Sequence, residues 1–120
     1  MKSIYIAGPM SGLPEFNFPA FFEAQKMLEA QGWKVWNPAA KDAEGALDFL
    51  ATLTGDAKRA MLNGFNFREA YNWDCDKVIN GDAIYMLRGW EVSPGARGEH
   101  AVAMAMQSKH PEYVIMYQGL

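Results

Sequence analysis

The stretch SIYIAGPMSG, residues 3–12, sets the frame for the whole chain. Ser3–Ala7 is a short, continuous apolar run rich in β-branched and aromatic residues, and Gly8-Pro9 stops it. An uninterrupted apolar run of this length reads as a buried strand rather than a half-solvated one. The loop that follows, Gly8–Phe18, carries two glycines and two prolines. Asn17-Phe18-Pro19 then opens a helix, with proline suited to its first turn. Phe21, Ala24 and Leu28 share one face of that helix, and Gly32 ends it.

The same alternation continues. Lys34–Trp36 is a second short strand ending at Asn37-Pro38. Asn66–Asn80 reads as a helix, Ala83–Leu87 as a strand, Pro94–Lys109 as a helix and Tyr113–Tyr117 as a last strand. Residues 39–65 are broken by Gly55 and Gly64; AEGALDFLATL within them suits a short helix, and the region reads as a variable insertion or lid. Strands alternating with helices imply a parallel sheet of about four to five strands covered on both faces, a flavodoxin/Rossmann-like three-layer α/β sandwich in one domain spanning 1–120. Ligands in such folds sit at the carboxyl ends of the strands. The loop Gly8–Phe18, the loop Arg88–Gly95 and the segment entering Asn66 therefore converge on one site.

Bulk properties narrow the function classes. The chain has 120 residues, 50% of them hydrophobic and 21% charged, with a net charge of −3. That balance argues against a nucleic-acid polymer or an anionic membrane as partner. No apolar run approaches the ~20 residues needed to span a bilayer. The opening MKSIYIAGPM is broken too early by Gly8 and Pro9 to read as a signal peptide. A single cysteine, Cys75, excludes a disulfide framework and suits a reducing, cytoplasmic compartment; on an apolar stripe it reads as a packed thiol.

Two carboxylates stand in unexpected places. At about 100° per residue along the last helix, Val102 and Met106 define the core face, with Ala103 and Ala105 beside it. Glu99 falls beside Met106, inside that face, while His100 falls toward Gln107 and solvent. A capping box on Ser93 would need its acid at position 96, which is alanine. Glu99 is thus an inward acid that suits a site role better than a plain helix-start role. On the Asn66–Asn80 helix, Phe67, Tyr71, Cys75 and Val78 mark an apolar stripe; Asp74 lies inside its arc and Asp76 opposite. Asp82, after the turn Asn80-Gly81, suits either that turn or a ligand contact. Paired inward carboxylates beside a loop-lined pocket suit glycosidic chemistry.

The start of the last helix offers N–H groups at residues 95–97, an anion site to which Ser93 adds a hydroxyl and Arg97 a charge. Arg97 and Arg88 both also suit plain surface positions. Gly95, Ala96 and Gly98 allow close backbone approach. Trp90 could stack on a base. Neither GxGxxG nor a P-loop is present, His100 and His110 lack metal-ligand spacing, and no GxSxG elbow exists. No cofactor and no metal are expected.

IYIAGPMSG, Asp74, Asp82 and GWEVSPGARGEHAVA together resemble the nucleoside 2-deoxyribosyltransferase-like superfamily, closest to a small, often phage-encoded branch of unknown function. The resemblance spans nearly the whole chain and is weak across residues 39–65. It implies a flavodoxin-like fold and cleavage of the N-glycosidic bond of 2′-deoxynucleosides or their monophosphates. It implies Glu99, four residues after Gly95, as nucleophile and Asp74, eight residues before Asp82, as the sugar-binding acid. Tyr5, Gly8, Met10, Ser11, Gly12, Asp82, Trp90, Ser93, Gly95, Ala96 and Arg97 are then the expected substrate contacts. Six residues before the glutamate, the transferases tend to carry aspartate and the nucleotide hydrolases a serine that binds the 5′-phosphate. Here that residue is Ser93, which favours 2′-deoxynucleoside 5′-monophosphates. The first loop, MSGLPE, is poorer in glycine and arginine than in the hydrolases. A base-exchanging transferase and a non-catalytic nucleotide-binding module are the alternatives; a phosphoribohydrolase marked by PGGxGTxxE ranks lowest, because SPGARGE lacks its glycine pair and threonine. The resemblance also implies a homodimer or higher homo-oligomer.

Overall fold

Four apolar runs form four parallel strands, and their pleat decides what each face touches. The computed structural model describes residues 1–44 and 49–120. The strands are β1 (Ser3–Ala7), β2 (Lys34–Trp36), β3 (Ala83–Met86) and β4 (Val114–Tyr117). They lie in the order β2-β1-β3-β4, with every pair parallel. Ile4 and Ile6 of β1, with Ala83 and Tyr85 of β3, face helix α1 (Phe18–Ala30) and its Phe21, Ala24 and Leu28. Tyr5, Ala7, Ile84 and Met86 face the other way, against Val78 of α5 (Phe67–Ile79) and Ala96 and Ala103 of α6 (Pro94–Lys109). Burial on both faces explains why these strands carry no polar alternation. The result is a Rossmann-like three-layer α/β fold.

The order 2-1-3-4 reverses between β1 and β3. Crossovers leave β1 toward one face and β3 toward the other, so a crevice opens at their carboxyl ends. Gly8, next after β1, lies so close to Leu87 that a Cβ there would stand 2.7 Å from the leucine Cβ.

Among the described residues between β2 and α5 lie three short helices: α2 (Pro38–Ala43), α3 (Phe49–Thr54) and α4 (Ala57–Leu62). Residues 45–48 of AEGALDFLATL lie outside the described residues; Phe49–Thr54 is helical as expected. Asn37, Asp56 and Asn66 cap α2, α4 and α5 by accepting from the N–H groups of Ala39, Arg59 and Glu69. The α3–α4 turn is strapped to the first loop: Gly12 N donates to Gly55 O at 2.7 Å, and a Cβ on Gly55 would strike the Leu13 backbone. In that loop Glu15, Phe16 and Asn17 all adopt left-handed φ, at 56°, 52° and 59°. Such residues cost about 1–3 kcal/mol each and persist only when their surroundings hold them. Here Phe16 is buried against Ala51 and Ala60, and Asn17 Nδ2 donates to Pro9 O. Among the described residues, no helix is long and apolar enough to cross a membrane.

Candidate functional site

The crevice at the β1/β3 switch is a cavity of about 700 Å³, within the range of small-molecule sites. Residues 39–65, expected as an insertion or lid, form part of its wall through Asp42, Ala57, Ala60 and Met61, and Phe65. Tyr5, Gly8, Met10, Ser11, Gly12, Asp74, Ser93, Gly95, Ala96 and Glu99 all line it, as the sequence predicts.

Glu99 sits on the Ala96–Ala103 row of α6, the most buried row of that helix, and is only 4% exposed. The wheel reading placed Ala105 beside the core; it is exposed, and Ala96 takes that role. The pleat of β1 aims Tyr5 at the same spot, and its hydroxyl donates to Glu99 Oε2 at 3.0 Å. Asp74, from α5, lies beside both. Its Oδ1 is buried with no hydrogen-bond partner. Burial first, then the neighbouring Asp74 charge, hold Glu99 well above the usual carboxylate range. Burial and the charge of Asp42 push Asp74 up to about 7. Two adjacent buried carboxyls cannot both ionise freely, so at neutral pH the pair tends to keep one proton. Tyr5 itself stays protonated, because burial and these acids raise its pKa.

Asp42, from α2, is a third acid on the wall, raised to about 6 by burial. Sequence reasoning missed it, since it lies in the polar run KDAEG with no periodicity to single it out. Among the described residues, no group of three or more His, Cys, Asp or Glu side chains is placed to hold a metal ion.

Several expectations are corrected. Asp82 is not a ligand contact. It stands at the amino end of β3, opposite the cavity, where its Oδ2 accepts from Ser3 N at 2.8 Å. It is a turn acid that pins β1 to β3. Arg97 points to solvent, 100° round α6 from Ala96, and Arg88 borders the cavity but lays its guanidinium against Gly119. Trp90 leaves the cavity because Gly89, at φ 87°, starts a 3-10 turn that swings the indole toward β4. There it packs on His100, with centroids 4.2 Å apart, and lines a separate depression with Tyr117. His100 is consequently half-buried, its Nε2 2.7 Å from the Tyr117 hydroxyl, rather than turned to solvent. Of the expected N–H trio at 95–97, Ala96 bonds Ser93 Oγ and Arg97 bonds Ser93 O; Gly95 N–H alone remains for a ligand.

The apolar stripe of α5 also divides. Val78 enters the core, Cys75 is half-buried, and Phe67 and Tyr71 stack at 5.6 Å as cavity wall. Tyr71 reaches across to α6, donating to Gly95 O at 2.8 Å. Its ring end lies where a Cβ on Gly98 would sit. Gly98→Ala is therefore expected to push Tyr71 off α6 and cost about 1 kcal/mol from the broken hydrogen bond, with looser ligand binding. Thermal unfolding and calorimetry on the same sample check both effects.

Residues 2–110 match the family described as Domain of unknown function (DUF4406). The chain belongs to that family. The DUF4406 match runs from the start of β1 to the end of α6 and so includes every acid on the cavity wall. No curated protein and no solved structure matches the chain.

Proposed function

We propose that this DUF4406 protein cleaves the N-glycosidic bond of 2′-deoxynucleoside 5′-monophosphates, with Glu99 as nucleophile. One observation carries the reading: a buried glutamate, hydrogen-bonded by Tyr5 and set beside Asp74, faces a nucleotide-sized cavity. The resemblance to nucleoside 2-deoxyribosyltransferase-like proteins, drawn on these same residues, supports it.

The Tyr5 hydroxyl favours negative charge on Glu99 and Asp74 alike, while deeper burial favours the shared proton on Glu99 in the resting pair; attack requires that this proton pass to Asp74. Glu99 Oε1 or Oε2 then forms a bond to C1′ as the C1′–N bond breaks. The bonding pair leaves with the base, and Asp74 supplies its proton at a pKa suited to neutral pH. Positive charge developing on the sugar is stabilised by the surrounding carboxylates. Water, or an acceptor base, opens the deoxyribosyl ester.

For the 5′-phosphate, Ser93 Oγ accepts from Ala96 N and keeps its own hydrogen to donate. The free Gly95 N–H lies on the same wall. Incubation with each deoxynucleoside monophosphate and each matching nucleoside, followed by chromatography for free base, tests the reading. Release from monophosphates is expected, and Ser93→Asp should cut it by about 10- to 100-fold, since a half-buried negative charge facing phosphate loses a charge-assisted hydrogen bond and adds repulsion. Exchange of bases between unphosphorylated nucleosides would replace the hydrolase with the transferase. Nucleotide binding without base release would replace it with a binding module.

A further inference from the structure

The third acid of the cavity has no task in the chemistry above. Among the described residues, Asp42 accepts no side-chain hydrogen bond and forms no ion pair; the Lys41 charge offsets its burial only in part. Lys41, its neighbour in sequence, instead pairs with Glu44 at 3.7 Å on the surface. Yet the Asp42 carboxylate lines the cavity, and its charge is felt at Tyr5, Asp74 and Glu99. A half-buried acid left without a partner is costly unless a ligand supplies one.

Sheet order places this acid relative to the rest. Arg88, Ser93 and Gly95 follow β3, while Asp42 follows β2, on the other side of β1. Tyr5, at the middle of β1, meets Glu99 between them. A nucleotide with its phosphate at Ser93 and its C1′ at Glu99 therefore points its base toward the β2 side, where Asp42 waits. The aromatic walls Phe65, Phe67 and Tyr71 offer faces for stacking.

We propose that Asp42 reads the base: its two carboxylate oxygens accept from adjacent donors on the Watson–Crick edge, which selects guanine over thymine. Guanine presents N1–H beside its 2-amino group, a matched pair for two acceptors. Thymine presents one N3–H between two carbonyl oxygens, each of which a carboxylate repels. This specificity rests on the glycosidic reading above, but base recognition can be measured without turnover.

The experiment compares dGMP with dTMP at pH 8, where Asp42 is ionised, in wild type and Asp42→Asn. Both calorimetric binding and base release are followed. Asparagine keeps the shape but turns one acceptor into a donor. Wild type should favour dGMP, and Asp42→Asn should lower kcat/KM and affinity for dGMP by about 10- to 100-fold, the value of a bidentate base contact. Binding of dTMP and of deoxyribose 5-phosphate should hold or improve. Equal loss for both nucleotides, an unchanged preference, or a wild-type preference for dTMP overturns the assignment. If dGMP binds selectively through Asp42 but no base is released, the base-reading role stands and the hydrolase reading fails. If base is released with no Asp42-dependent selectivity, the reverse holds.

Discussion

Glu99→Gln is expected to abolish base release, by about a thousandfold or more, while leaving the fold and nucleotide binding intact. Glutamine matches the shape of Glu99 on the buried Ala96–Ala103 row. Its amide oxygen can still accept from Tyr5, whose bond to Oε2 is 3.0 Å. Its amide nitrogen brings a donor next to Asp74, whose Oδ1 has none. What the amide lacks is the nucleophilic anion that forms an ester with C1′. The loss should therefore fall on kcat rather than on binding, because a glutamine contacts the ground-state sugar much as a glutamate does. Chromatographic base release and calorimetry on the same preparation separate the two. Near wild-type turnover in this variant would remove Glu99 as nucleophile and leave direct attack by water, with Asp74 as the remaining acid. Loss of binding together with turnover would make Glu99 a ligand-holding group first.

Sequence alone came close to this site because each decisive signal was a local violation of pattern. A carboxylate on the core row of a helix rich in alanine and methionine stands out, and so does Asp74 inside an apolar arc. The strands were legible for a related reason. Parallel strands buried on both faces are continuous apolar runs, and Ser3–Ala7, Lys34–Trp36 and Ala83–Met86 all stand within a residue of their expected bounds. What failed depended on turns. Arg88 and Arg97 are equivalent as letters, and helix phase from Pro94 sends one to solvent while the loop after β3 carries the guanidinium of the other to Gly119. Trp90 looked like a base-stacking residue until the Gly89 turn carried it to His100. The α5 stripe was apolar, but a cavity wall and a core wall have the same composition. Asp42 could not be found by pattern at all, because α2 is six residues long and too short to show an amphipathic period.

Stability should fall as pH rises from about 6.5 to 8.5, and Asp74→Asn should recover much of the loss. In the unfolded chain Asp and Glu titrate near pH 4. In the folded chain Asp42 is raised to about 6, Asp74 to about 7, and Glu99 well above its ordinary value. Between those limits the native state holds protons that the unfolded state has released. Stability therefore declines with pH: the contribution is whole below about pH 4 and is lost as each folded carboxyl ionises. His100 works oppositely, since burial lowers its pKa and its contribution grows as pH rises toward 6.5. Above that value the histidine term is complete and the acids alone remain, which fixes the window for the measurement. Asp74→Asn removes one buried charge and can donate to the Glu99 carboxylate. At pH 8 it should raise Tm by about 5 °C, the shift expected for roughly 1 kcal/mol in a domain of this size. At pH 5, where Asp74 is already protonated, the same variant should shift Tm little. Calorimetric unfolding across the series checks this. A wild-type Tm that is flat or rising from pH 6.5 to 8.5 would mean that water or counterions already solvate the three acids, and that the site does not hold its carboxyls protonated in waiting for a leaving base.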